Sequence, residues 1–149
     1  MGQTGTQKRF WWSVAAVFVV MLLTDWFFHG WWLKGWYEQT SQFWRSPDDY
    51  QKMMPALWIG NFIFSWAFVW IYSKGLSTDN PWAQAFRYAS AIFLVSKLPE
   101  QLSVWATRPY PGELLVRWGF IALFQAFLCA FVVTWTWNPA KAWKSATHS

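Results

Sequence analysis

Charge is scarce in this chain. Only 13% of its 149 residues are Asp, Glu, Lys or Arg, about half the fraction of an ordinary soluble domain. The Lys and Arg excess gives a net charge of +5, but no basic run is longer than Lys8-Arg9. A nucleic-acid surface needs a clustered basic stripe, so that partner is excluded. A dispersed basic excess suits anionic lipid headgroups. Cysteine occurs once, at Cys129, which rules out an internal disulfide and reads as a small core residue. Histidine occurs twice, at His29 and at His148 in the tail, so a haem held by two buried histidines is not available. The chain has no G-x-x-x-x-G-K, H-E-x-x-H, G-x-S-x-G or C-x-x-C, and the chemistries that depend on those spacings go with them.

What the chain has instead is tryptophan. Sixteen are present, in a sequence that is 55% hydrophobic and 23% aromatic. Indole combines a large apolar body with one N–H donor, and it favours the boundary between hydrocarbon and water. The tryptophans gather at the ends of four apolar segments, about 10–33, 55–73, 82–105 and 112–137. Each segment is long enough to cross a bilayer core of roughly 30 Å with some tilt. The fold class expected is all-α: a single membrane domain over residues 1–149, built as a four-helix antiparallel transmembrane bundle. The short connections near 73–80 and 106–111 make consecutive helices antiparallel neighbours.

Local signals place the ends. Lys8-Arg9 before an apolar run imitates a signal peptide, but no small-residue cleavage site follows, so a retained first helix is expected. Asn80 can cap the third segment with Pro81 at its first position, and Asn138-Pro139 stops the fourth. The connection 34–54 is the one sizeable extramembrane stretch. Ser46-Pro47-Asp48-Asp49 within it reads as a helix start, with a cap, a first-position proline and acids over the positive dipole end. Phe43, Trp44, Tyr50, Met53 and Met54 make the stretch apolar, so an interfacial helix on the membrane surface is expected. Lys8-Arg9 favours both termini in the cytoplasm, although the basic residues at the two ends number five against four.

Polar groups inside membrane segments raise a functional question by default. Counted from the segment ends at 1.5 Å per residue, Asp25, His29, Asn61, Lys97, Glu100 and Arg117 fall in one layer nearest the long connection. Asp25 and His29 are four apart and Lys97 and Glu100 three apart, so each pair shares a helix face. Asn61, Ser65 and Tyr72 line one stripe that should face the bundle interior. Pro99 leaves the carbonyl of Val95 without its donor. The plainest reading is an ion-pair network in which Asp25 and Glu100 balance Lys97 and Arg117. Sharper readings are a metal held by His29, Asp25 and Glu100, a single axial ligand from His29 to a haem or chlorin, and a proton or substrate path. A path would have to continue on the other side through Gln84, Arg87 or Gln125.

Asp25-x-x-x-His29-Gly30, Tyr37 to Trp44-Arg45, Met54-Pro55 and Tyr72-x-Lys74-Gly75 together form a pattern over the first half of the chain. It resembles that of small four-helix bacterial membrane proteins of unknown function. The resemblance implies a bacterial inner membrane and a four-helix fold, with no activity attached, and it groups Asp25 and His29 with the first connection.

Two functions fit these observations. One is a non-catalytic accessory subunit of a larger redox, photosynthetic or monooxygenase-type membrane complex. Its partners would be lipids and other subunits, docked through Trp36, Phe43, Trp44, Met53 and Met54. The other is an independent small-molecule, cofactor or proton-handling protein that uses the polar layer, with His29 as its cofactor-binding residue. Elimination of reaction motifs favours the first, with no enzyme activity expected.

Overall fold

A computed structural model of the chain describes residues 3–75 and 80–137. The expected stop at Asn138-Pro139, the tail residues Lys141, Trp143, Lys144 and His148, and residues 76–79 lie outside the described residues. Within them the chain is almost entirely helical, with no strand. The elements are α1 (Gln3–Asp25), α2 (Lys34–Gln39), α3 (Pro47–Lys74), α4 (Pro81–Ile92), α5 (Leu98–Thr107) and α6 (Gly112–Trp137). Three helical stretches are long and apolar enough to cross a membrane: Gly5–Trp32, Pro47–Lys74 and Gly112–Trp137. The rod 81–107 is not among them, because Arg87, Lys97 and Glu100 fall within it, with Gln101 beside the last.

Each boundary has a local cause. Ser46 accepts from the backbone N–H of Asp49 at 3.2 Å, and Pro47 takes the first position, so α3 starts there and not at Pro55. The expected interfacial helix and the second apolar segment are therefore one helix of 28 residues. Pro55 is absorbed inside it at the loss of one backbone hydrogen bond. Asn80 caps α4 by accepting from the N–H groups of Trp82 and Ala83 at 2.9 and 3.2 Å. The surface stretch that remains between α1 and α3 is α2 and a single tight turn, Ser41–Phe43.

Two segments are wound more widely than an α-helix. After Asp25 the helix continues as a wide π-type turn, Trp26–Trp32, closed by Leu33 N–H on the carbonyl of Phe28 at 2.8 Å. A second wide turn, Phe93–Lys97, joins α4 to α5, and Leu98 N–H donates to Phe93. The second has a clear origin. Pro99 lacks an N–H and its ring crowds the carbonyl four residues back, and widening the preceding turn relieves that contact. The aromatic run of the first offers no comparable signal.

The main core lies towards the end of the bundle where α1 begins. It joins Val14, Val17 and Met21 of α1 to Phe68, Val69 and Tyr72 of α3. Ala85, Tyr88 and Ala89 of α4 and Ala126, Cys129, Ala130 and Val133 of α6 complete it. Helix α6 packs along α1 and α4, and α1 along α3. Between α4 and α6 the residues are small: Ala85, Ala89 and Ala130 have no exposed surface. Small side chains let backbones approach closely, which is how apolar helices gain packing when lipid competes for the same faces. Hydroxyls add specificity. Tyr72 and Thr134 are hydrogen-bonded at 2.9 Å, Ser13 and Thr136 at 2.7 Å, and Tyr88 donates to the carbonyl of Phe68. Towards the other end α5 has no buried residue, and α3 has none before Ser65.

Enlarging Ala89 should separate α4 from α6. Ala89→Leu is expected to lower stability by about 1–3 kcal/mol, the usual cost of overpacking, measured by unfolding in mild detergent. An unchanged midpoint would mean that α4 and α6 are not held at this distance.

Candidate functional site

The polar residues resolve into two tiers rather than one layer. The first is centred on Asp25, where α1 meets its wide turn. Asn61 Nδ2 of α3 donates to Asp25 Oδ2 at 2.8 Å, and Gln125 Nε2 of α6 donates to Asp25 Oδ1 at 2.7 Å. Gln125 also reaches Thr24 Oγ1 at 2.9 Å, while the Thr24 hydroxyl donates back to the carbonyl of Val20 at 2.8 Å. Ser65 closes the cluster by donating to the carbonyl of Asn61 at 2.7 Å. Both oxygens of one carboxyl group therefore hold amides from two other helices. This arrangement is a three-helix lock.

Counting along the helices explains why Gln125 joins Asp25 and Arg117 does not. From Pro47 to Asn61 and from Gly112 to Gln125 the paths are both roughly 20 Å, so the two amides lie at equal height. The earlier start of α3 moves Asn61 from the edge of the bundle to its middle. Arg117 lies roughly 12 Å nearer the end where α6 begins. Gln125, placed by the sequence on the opposite side as part of a relay, is the group the layer lacked. The stripe Asn61, Ser65, Tyr72 does face inward.

The second tier ties the first connection to α6. Trp118 Nε1 donates to Tyr37 Oη at 2.9 Å, and Tyr37 Oη is hydrogen-bonded to His29 Nδ1. An indole nitrogen can only donate, so the phenolic hydrogen is free to point at His29 Nδ1. Burial pushes the Tyr37 phenol up to about 12, with the Trp118 hydrogen bond pulling the other way. Trp44 stacks on Tyr110 with ring centres 5.3 Å apart and meets Tyr37 and Trp118 edge-on. Its N–H donates to Thr40 at 2.9 Å. The Arg117 guanidinium lies over Trp36 and Trp32, 4.8 and 5.6 Å from the ring centres, and Leu33, Leu114 and Ile121 are buried beneath.

The remaining expected residues stand apart. Lys97, the last residue of the wide turn, and Glu100 of α5 pair with each other at 3.2 Å, with side chains 34% and 57% exposed. Neither takes part in either tier, and Arg117 takes an aromatic partner in place of an acid. The expected ion-pair network is thus replaced by amide donors on Asp25 and by a separate local pair. Among the described residues no three of His, Cys, Asp and Glu lie close enough to hold a metal. The His29 nitrogen nearest Tyr37 is already engaged. Trp36, Phe43 and Trp44, expected as docking residues, are half-buried against α6 and Tyr110. Met53 stays exposed and Met54 half-buried on the first turns of α3.

Asp25→Asn should be destabilising despite its matched shape. One of its two faces becomes a donor set against a donor, so a loss of about 1–3 kcal/mol is expected. In a double-mutant cycle with Asn61→Ala the two effects should fall well short of adding, and full additivity would show that they do not interact. The Tyr37 phenol gives a pH signature. Its ordinary value is about 10, and in the folded chain it is raised to about 12, so its stabilisation is complete below pH 10 and lost as pH rises through 12. The stability gap between wild type and Tyr37→Phe should be constant to pH 10 and shrink above it. A gap that stays flat to pH 12 would contradict this environment for Tyr37.

Compared with protein-family models, with curated proteins and with solved structures, the chain gives no match.

Proposed function

We propose that the chain is a four-span inner-membrane protein with both termini in the cytoplasm, acting as a non-catalytic accessory subunit of a larger membrane complex. The three apolar helices support membrane placement, and the rod 81–107 serves as the fourth crossing. The observation that carries the subunit reading is the open face of α5. Glu100 stands there on a helix with no buried residue of its own, paired with Lys97 just before its start. In lipid a charged side chain at the middle of a helix costs roughly 2.5–3.5 kcal/mol, and a paired group on an open face still lacks most of its hydrogen-bond partners. A protein surface from another subunit supplies them.

The tiers support a structural role for the rest of the molecule. Asp25 is occupied by the chain's own amides, and the aromatic tier holds the first connection against α6. An independent proton-handling protein would have to open one of these contacts in each cycle.

Gentle-detergent extraction from native membranes should yield a particle larger than one chain with at least one other polypeptide. Lys97→Ala combined with Glu100→Ala should release the chain from it while leaving the Asp25 cluster folded. A monodisperse particle of this chain alone, unaffected by the double change, would defeat the proposal.

A further inference from the structure

We infer that the end of the bundle where α1 begins carries a binding groove for one anionic phospholipid, recognised through its phosphodiester and its acyl chain. This rests on the membrane placement proposed above. The groove is open, about 410 Å³, and lies where the start of α1 meets the ends of α3 and α6. Phe10 and Trp11 form one wall, Trp70 and Trp137 the others, and Gln7 and Lys74 stand among them. The two chemistries are separated along the helix axes. On α1 the polar Gln7 precedes the aromatic pair by about one turn, and on α3 Lys74 follows Trp70 by the same interval. Polar groups therefore occupy the outer end of the groove and rings the deeper part, the order in which a phospholipid presents its phosphate and its hydrocarbon.

Among the described residues the charge at the outer end has no acidic partner. The ion pairs among these residues are Lys34–Glu38, Lys52–Asp49 and Lys97–Glu100, so no described carboxylate pairs with Lys74. Lys8 and Arg9 follow Gln7 on α1, both exposed. A lysine at a helix C-terminus also offsets the helix dipole, but that role requires no groove beside it. The aromatic walls decide between lipid and a free anion. Trp11 and Trp70 are 55% and 46% exposed, and a soluble phosphate would leave these rings against water. An acyl chain covers them.

The test uses the full chain in nanodiscs of phosphatidylcholine with graded phosphatidylglycerol, followed by native mass spectrometry of the released protein. Wild type should retain one phosphatidylglycerol per chain in preference to phosphatidylcholine. Near an anionic surface each basic residue contributes enough that losing one should lower this preference about five-fold. Lys74→Gln should therefore show that fall, and Lys34→Gln, at the other end of the molecule, should not. Millimolar inorganic phosphate should leave retention unchanged. Equal retention in the two variants, or displacement of the lipid by inorganic phosphate, would overturn the assignment. Tryptophan fluorescence in each variant confirms that the fold is intact. Loss of the lipid preference would leave the question of partner subunits untouched, since α5 and this groove lie at different ends of their helices.

Discussion

Asp25 holds three helices at one height. In water a helix bundle is assembled by hiding apolar faces, but in hydrocarbon the inside and the outside of a bundle are equally oily, and burial no longer specifies which faces meet. Register then depends on the few contacts that lipid cannot imitate. A carboxyl group with two amide donors on different helices is such a contact, because sliding α3 or α6 by one turn, about 5.4 Å, breaks a bond that no lipid tail replaces. Thr24 and Ser65 extend the same contact into the backbones of α1 and α3. The small residues between α4 and α6 and the hydroxyl pairs beyond them settle into the register that Asp25 defines.

The aromatic tier works by a different principle. Trp44, Tyr110, Trp118 and Tyr37 meet at ring-centre distances of 5.1–5.8 Å, where edge-to-face and stacked contacts carry directional preferences. Three of the polar tips in this group have partners: Trp44 on Thr40, Trp118 on Tyr37, Tyr37 on His29. The first connection is therefore folded against the bundle as a fixed cap, and Arg117 supports it from below by lying over Trp36. Tryptophans at a membrane boundary usually serve as anchors in the headgroup region. Here several at one end serve instead as a second, polar-tipped core.

Much of this was legible in the sequence, and the misses share a cause. Apolar length and the tryptophan clusters marked the helices, and Ser46-Pro47 and Asn80-Pro81 marked two starts correctly. Reading Pro55 as the start of the second apolar segment went wrong because a proline one turn or more inside a helix looks, in sequence, like one at its first position. That displacement shifted Asn61 and hid its match in height to Gln125. The stripe Asn61, Ser65, Tyr72 survived the error because periodicity depends on spacing and not on where a helix begins. Like-for-unlike charge matching suggested Asp25 with Arg117, whereas amides and indole rings took those roles. Such partners are invisible to charge counting. The wide turn at Trp26–Trp32 left no mark that composition or spacing could reveal.

The other wide turn, Phe93–Lys97, sets the phase of everything after it. Successive residues of an α-helix are rotated by about 100°, and a π-type turn takes up roughly one residue more than an α turn. Removing one residue from this stretch would restore ordinary winding and turn α5 about its own axis by that angle, with α4 and its alanine contacts left in place. Lys97 and Glu100 would then look towards a different neighbour. The orientation of the Lys97–Glu100 face on this rod is thus stored as a single inserted residue, separable from the alanine packing that holds α4 to α6.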